Sequence, residues 1–203
     1  IKGYPDGGVH PTANITRAEV SAIFYRLLSV DARKQYAATS SSFADANKSW
    51  AAAEIATLTN AGILKGYTDG SFRPNAAITR AEFASIAARF DKLSGGNKTF
   101  SDVPSNHWAY AAITSAAEKG WVNGYSDGTF RPDNAITRSE VVKITNAVLG
   151  RSCDKDYVAK NISKLTSYND LSNTYWAYYD ILEASNAHDY KTASGVESWT
   201  GLK

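Results

Sequence analysis

A threefold internal repeat constrains this chain more than any other feature. Gly3-Tyr4-Pro5-Asp6-Gly7, followed by Asn14-Ile15-Thr16-Arg17-Ala18-Glu19, returns as Gly66-Tyr67-Thr68-Asp69-Gly70-Ser71-Phe72-Arg73-Pro74 with Ala77-Ile78-Thr79-Arg80-Ala81-Glu82. It returns again as Gly124-Tyr125-Ser126-Asp127-Gly128-Thr129-Phe130-Arg131-Pro132 with Ala135-Ile136-Thr137-Arg138-Ser139-Glu140. The period is about 60 residues, the length of one supersecondary unit that needs a neighbour to bury its apolar face. A second block precedes two copies and recurs at the end: Phe43-x-Asp45 with Trp50, Phe100-x-Asp102 with Trp108, and Tyr168-x-Asp170 with Trp176.

Each full unit therefore reads as an aromatic-x-Asp block, a helix, a Gly-rich loop and a second helix. The first helix is expected from about Trp50 to Ala61, with Gly62, and Gly120 in the next unit, as left-handed stops. The second begins where Thr16, Thr79 and Thr137 stand at N-caps, with Glu19, Glu82 and Glu140 three residues on to complete capping boxes. Ile15 with Val20, Ile78 with Phe83 and Ile136 with Val141 form the hydrophobic staples. Asp6, Asp69 and Asp127 read as turn residues of the loop, since an EF-hand would need alternating oxygen ligands and a distal Glu. The expected class is all-α, with room for very short strands in the loops.

Repeats in fixed order with these motifs resemble surface-layer homology domains, over most of residues 1–150 and about 168–190. Departures are Val9-His10 in place of Phe-Arg, Ser139 in place of Ala, and the missing first half of unit one. The resemblance implies three units in a pseudo-threefold prism. It implies grooves between units that bind secondary cell-wall polysaccharide carrying pyruvate ketals, while some relatives bind peptidoglycan directly. The expected organisation is 1–36, second half of unit one; 43–91, unit two; 100–150, unit three; 151–167, connector; and 168–203, a half unit and tail. The segment from Trp176 to Ala187 is expected to pack beside the Arg17 helix and close the ring.

Candidate glycan-binding residues follow, each with a plainer alternative. Arg17, Arg80 and Arg138 occupy first helical turns, where the macrodipole disfavours a cation. An arginine with free helix amides would make a carboxylate pocket, and an ion pair between units is the alternative. Trp50, Trp108 and Trp176 offer flat faces to a sugar or pack an interface. Gly3, Gly66 and Gly124 serve backbone geometry, or by resemblance allow close approach of a ring. Asp45, Asp102 and Asp170 are turn or helix-start residues, with a groove role by resemblance. Arg73 and Arg131 read as structural.

Composition limits the alternatives. Lys and Arg total 22 against 20 Asp and Glu, a net +2 that supplies no global field for nucleic acid or an anionic membrane. No apolar run is long enough to insert into a membrane. Cys153 is the only cysteine, and His10, His107 and His188 show no zinc spacing, so neither a metal nor a cofactor is expected. A start at Ile1 within a motif is read as a fragment of a longer chain, and the resemblance implies that its parent is extracellular, at the wall of a bacterium. Triplicated carboxylates suit three binding sites better than one asymmetric acid/base pair, so no enzyme is expected. A protein–protein module of a surface assembly remains the alternative to glycan anchoring.

Overall fold

The computed structural model describes residues 1–91, 95–193 and 196–203. Its helices are α1 (Arg17–Leu27), α2 (Val30–Gln35), α3 (Ala52–Asn60), α4 (Arg80–Phe90), α5 (Tyr110–Glu118), α6 (Arg138–Val148), α7 (Lys155–Asn161) and α8 (Tyr178–Ser185). An antiparallel pair, β1 (His188–Ala193) and β2 (Val196–Leu202), follows them. Two compact units result: Asn14–Ile136, and Ile1–Ala13 together with Thr137–Lys203.

Within Asn14–Ile136, α1 packs on α3 and α4 on α5. Phe24 meets Phe83 and Phe90 at ring-centre distances of 5.8 and 5.3 Å. Ile15, Ile78 and Ile136, each just before a threonine N-cap, are buried and form a closed cycle of backbone hydrogen bonds. Ile15 donates to Ile136 O at 3.2 Å, Ile136 to Ile78 O at 3.0 Å and Ile78 to Ile15 O at 3.0 Å. One sequence position, repeated three times, thus satisfies its own buried backbone groups. Gly62 and Gly120 adopt φ of 74° and 72° directly after α3 and α5, ending them as expected.

In the second unit α8 packs on α6, and Val9, Val142, Ala177 and Ile181 share a core. The helix expected beside this segment was the Arg17 helix; α6 is the neighbour within its own unit. Val158, Leu165, Leu182 and Trp199 make a further cluster under the hairpin. Two boundaries differ from expectation. The first helix of unit two begins at Ala52, leaving Trp50 outside it and 64% exposed. From His188 the chain pairs as strands, where a half unit and tail were expected.

Candidate functional site

All three capping boxes form: the Oγ1 of Thr16, Thr79 and Thr137 accepts from the amide of Glu19, Glu82 and Glu140, whose carboxylates accept from the threonine amides. The preceding amides are also occupied. Arg17 N and Ala18 N donate to Ala76 O and Pro74 O, Arg80 N and Ala81 N to Asn134 O and Pro132 O, and Arg138 N and Ser139 N to Ala13 O and Pro11 O. These helix starts have spent their free donors on loop carbonyls, which overturns the expectation of an amide-lined anion pocket.

The arginines are buried at these helix starts. Arg17, Arg80 and Arg138 are 5%, 6% and 5% exposed, not surface residues. Arg17 Nε donates to Phe72 O at 2.7 Å and its NH2 to Lys65 O at 3.1 Å, while NH1 lies 3.1 Å from Glu82 Oε2. Arg80 repeats the two carbonyl contacts on Phe130 O and Asn123 O, and Arg138 on Val9 O and Lys2 O. Each guanidinium also lies over aromatic rings, Tyr67 and Phe72 for Arg17, Tyr125 and Phe130 for Arg80, and Tyr4 for Arg138. A fork of donors inserted into a loop backbone outweighs the modest dipole penalty of its position.

The same loops are gripped from the other side by the aspartates. Asp45 accepts from Phe72 N at 3.0 Å and Arg73 N at 2.7 Å. Asp102 does so for Phe130 and Arg131, and Asp170 for Val9 and His10. Burial would raise the Asp45 pKa, but the amides of Phe72, Arg73 and Ala46 together hold it below the ordinary value. The clamped residues Arg73, Arg131 and His10 have φ of 59°, 58° and 48°, a left-handed conformation rare outside glycine. Asp69 and Asp127 close the turns, accepting from Ser71 and Thr129 and pairing with Arg73 and Arg131. Those hydrogen bonds lower the Asp127 pKa to about 2.

Gly66, Gly124 and Gly3 accommodate a ring, but the ring belongs to the protein. A Cβ at these positions would lie 2.3 Å from Phe43, 2.5 Å from Phe100 and 2.6 Å from Tyr168. No side chain fits there without moving the aromatic.

Three tryptophans remain outward. Trp50, Trp108 and Trp176 are 64%, 63% and 54% exposed. Trp108 forms one wall of a groove of about 480 Å³ within Asn14–Ile136, shared with Arg17, Gly66, Tyr67, Lys65 and Arg89. Glu82 and Asp133 also line it. Tyr67 Oη donates to Glu82 Oε1 at 2.5 Å; burial, then this bond, raises its pKa. Burial lowers the Arg89 pKa, and its NH1 donates to Ile63 O at 3.4 Å. Arg17, Gly66 and Trp108 thus come together as candidates. Lys65, Tyr67 and Arg89 were not singled out, although Lys65 and Tyr67 flank Gly66 in the repeated motif.

A family profile described as S-layer homology domain matches residues 1–21, 42–84 and 99–142. Cell surface glycoprotein 1 of Acetivibrio thermocellus is 39% identical over all of this chain and 9% of its own length. The Cellulosome-anchoring protein of the same organism is 38% identical over 94% of this chain and 43% of its own length. S-layer protein EA1 of Bacillus anthracis is 32% identical over 70% of this chain and 17% of its own. The chain therefore spans less than half the length of these relatives. With the three matched segments coinciding with the repeated caps, clamps and loops, the chain belongs to the S-layer homology domain family.

Proposed function

We propose that this chain is a non-catalytic anchoring module that holds a larger surface protein to the bacterial cell wall. It does so by binding an anionic wall glycan, a pyruvylated secondary polysaccharide, in grooves of the Trp108 type. The cell-surface location follows from family membership and from relatives named for S-layers and cellulosome anchoring. One observation carries the binding reading: an exposed indole lines the same groove as the cations Arg17, Lys65 and Arg89. An aromatic face suits the C–H side of a sugar ring, and cations suit its carboxylate. The prominent carboxylates support a non-catalytic role, because Glu19, Glu82 and Glu140 cap helices and Asp45, Asp102 and Asp170 clamp loops.

The same proposal includes an approximately threefold arrangement, with the first half unit completed by the tail. The Ile15–Ile78–Ile136 cycle supports it, as does the grip of Asp170 on Val9 and His10.

Purified wall sacculi test the reading. Binding should be lost after acid stripping of the polysaccharide and should fall about tenfold or more in Trp108→Ala. Unchanged binding to stripped sacculi would point to peptidoglycan. Binding that ignores both treatments would overturn a glycan groove.

A further inference from the structure

The C-terminal hairpin carries a side-chain cluster that the repeats do not. Glu183, His188 and Glu197 are all buried, and one donor atom from each lies within 4.8 Å of the others. His188 Nε2 stands 3.5 Å from Glu183 Oε1 and 3.7 Å from Glu197 Oε2. These separations exceed a hydrogen bond. They are close to the edge, about 3.4 Å, of a tetrahedron with metal–ligand bonds of about 2.1 Å.

The surroundings orient the donors. His188 Nδ1 lies 2.7 Å from Asn186 O, which favours the tautomer that turns the Nε2 lone pair toward the carboxylates. The ring stacks 3.8 Å from Trp199, whose Nε1 donates to Glu183 Oε2 at 3.1 Å and leaves Oε1 facing the cluster. Glu197 Oε2 is buried with no hydrogen-bond partner among the described residues. A carboxylate oxygen in that state demands an explanation. One cation is at hand: Arg151 NH2 lies 2.6 Å from Glu183 Oε1 and 3.3 Å from His188 Nε2. It balances one of two carboxylates, and its side chain is 28% exposed, so the head can withdraw to water.

We propose that Glu183, His188 and Glu197 form a site for a divalent transition metal, Zn²⁺ by donor chemistry, which displaces the Arg151 head and ties the hairpin to α8. Two carboxylates match the dication in charge, and the imidazole favours Zn²⁺ over Mg²⁺ or Ca²⁺. The three ligands lie outside the family-matched segments. They also follow no zinc-finger spacing, so their order along the chain offers no reason to expect a metal.

Chelator-stripped protein titrated with ZnCl₂ by calorimetry should take up one equivalent, with a melting temperature that rises with Zn²⁺ concentration. Glu197→Gln should weaken binding at least tenfold while far-ultraviolet circular dichroism stays that of the wild type. Arg151→Gln should bind Zn²⁺ more tightly, because a competing cation is gone, although the metal-free protein melts lower. Absence of stoichiometric uptake overturns the site. So does wild-type affinity in Glu197→Gln, which would put the ion elsewhere, at a half-buried histidine such as His107. Weaker binding in Arg151→Gln would mean that the arginine completes a metal-free ion cluster, and would also overturn it.

Discussion

The Gly66–Arg73 loop and the Gly3–His10 loop are built alike and held from opposite directions along the chain. An aspartate grips each from one side and an arginine from the other: Asp45 and Arg17 for the first, Asp170 and Arg138 for the second. Phe43 closes over Gly66 as Tyr168 closes over Gly3. The aspartate of the first loop lies 27 residues from its partner, that of the second 161. On logarithmic loop-closure scaling the longer connection costs only about 1.6 kcal/mol more. One hydrogen bond to a charged acceptor, worth about 1.5–3 kcal/mol, offsets that. Sequence distance is therefore a weak obstacle to completing a repeat from its missing half.

Removing the distant half is the most severe way to break the comparison. Truncation after Gly150 deletes Asp170, Tyr168 and α8, and with them Ala177 and Ile181, the core partners of Val9 and Val142. Two or three large side chains lose their burial, at about 1.5–3 kcal/mol each. The expected loss is about 5 kcal/mol or more, read as a fall of about 10 °C or more in Tm. A truncated protein that melts like the full chain would show that the Gly3–His10 loop does not depend on the tail.

The arginine clamps allow a finer comparison, because both loops use them identically. Arg17→Ala orphans Phe72 O and Lys65 O, and Arg138→Ala orphans Val9 O and Lys2 O. Each should cost about 2–4 kcal/mol in urea unfolding, the penalty of unsatisfied buried acceptors and a lost charged donor. Near-wild-type stability in both would mean that water replaces the guanidinium and that the arginines do not hold the loops.

Legibility in the sequence followed periodicity. Caps, staples and the stops at Gly62 and Gly120 are local chemistry, so each copy announced them. The direction of the arginines was not legible. Their helical position is visible in sequence, but the carbonyls of Phe72, Phe130 and Val9 that they reach belong to loops 50 to 129 residues away. The glycines were read as backbone devices because nothing local links Gly66 to Phe43. The hairpin was missed for another reason: comparison with the repeat assigned residues 168–203 to a half unit and tail. The β-branched and aromatic residues of Tyr190-Lys191-Thr192 and Val196-Glu197-Ser198-Trp199 were the available strand signal. The metal-ligand candidates went unseen with it, since strand pairing is what brings Glu197 back to His188.

The mildest probe exchanges the aspartate clamps themselves. Asp45→Ala and Asp170→Ala each remove a carboxylate from two backbone amides at a loop edge that water can reach. About 1–2 kcal/mol is expected for each, and equal values would mean that the clamp works alike from 27 or 161 residues away. Acid supplies an independent reading for the near clamp. The Asp45 pKa is lowered in the folded protein, so the stability it contributes is fully present above the ordinary aspartate value of about 3.9. That stability declines as pH falls through the depressed folded value, because the protonated carboxyl no longer accepts both amides as an anion. The difference in unfolding free energy between wild type and Asp45→Ala should therefore hold from neutrality to about pH 5 and shrink below about pH 4. A difference that stays constant down to pH 2 would mean that the side chain acts by filling space over Phe72 and Arg73 rather than by its charge.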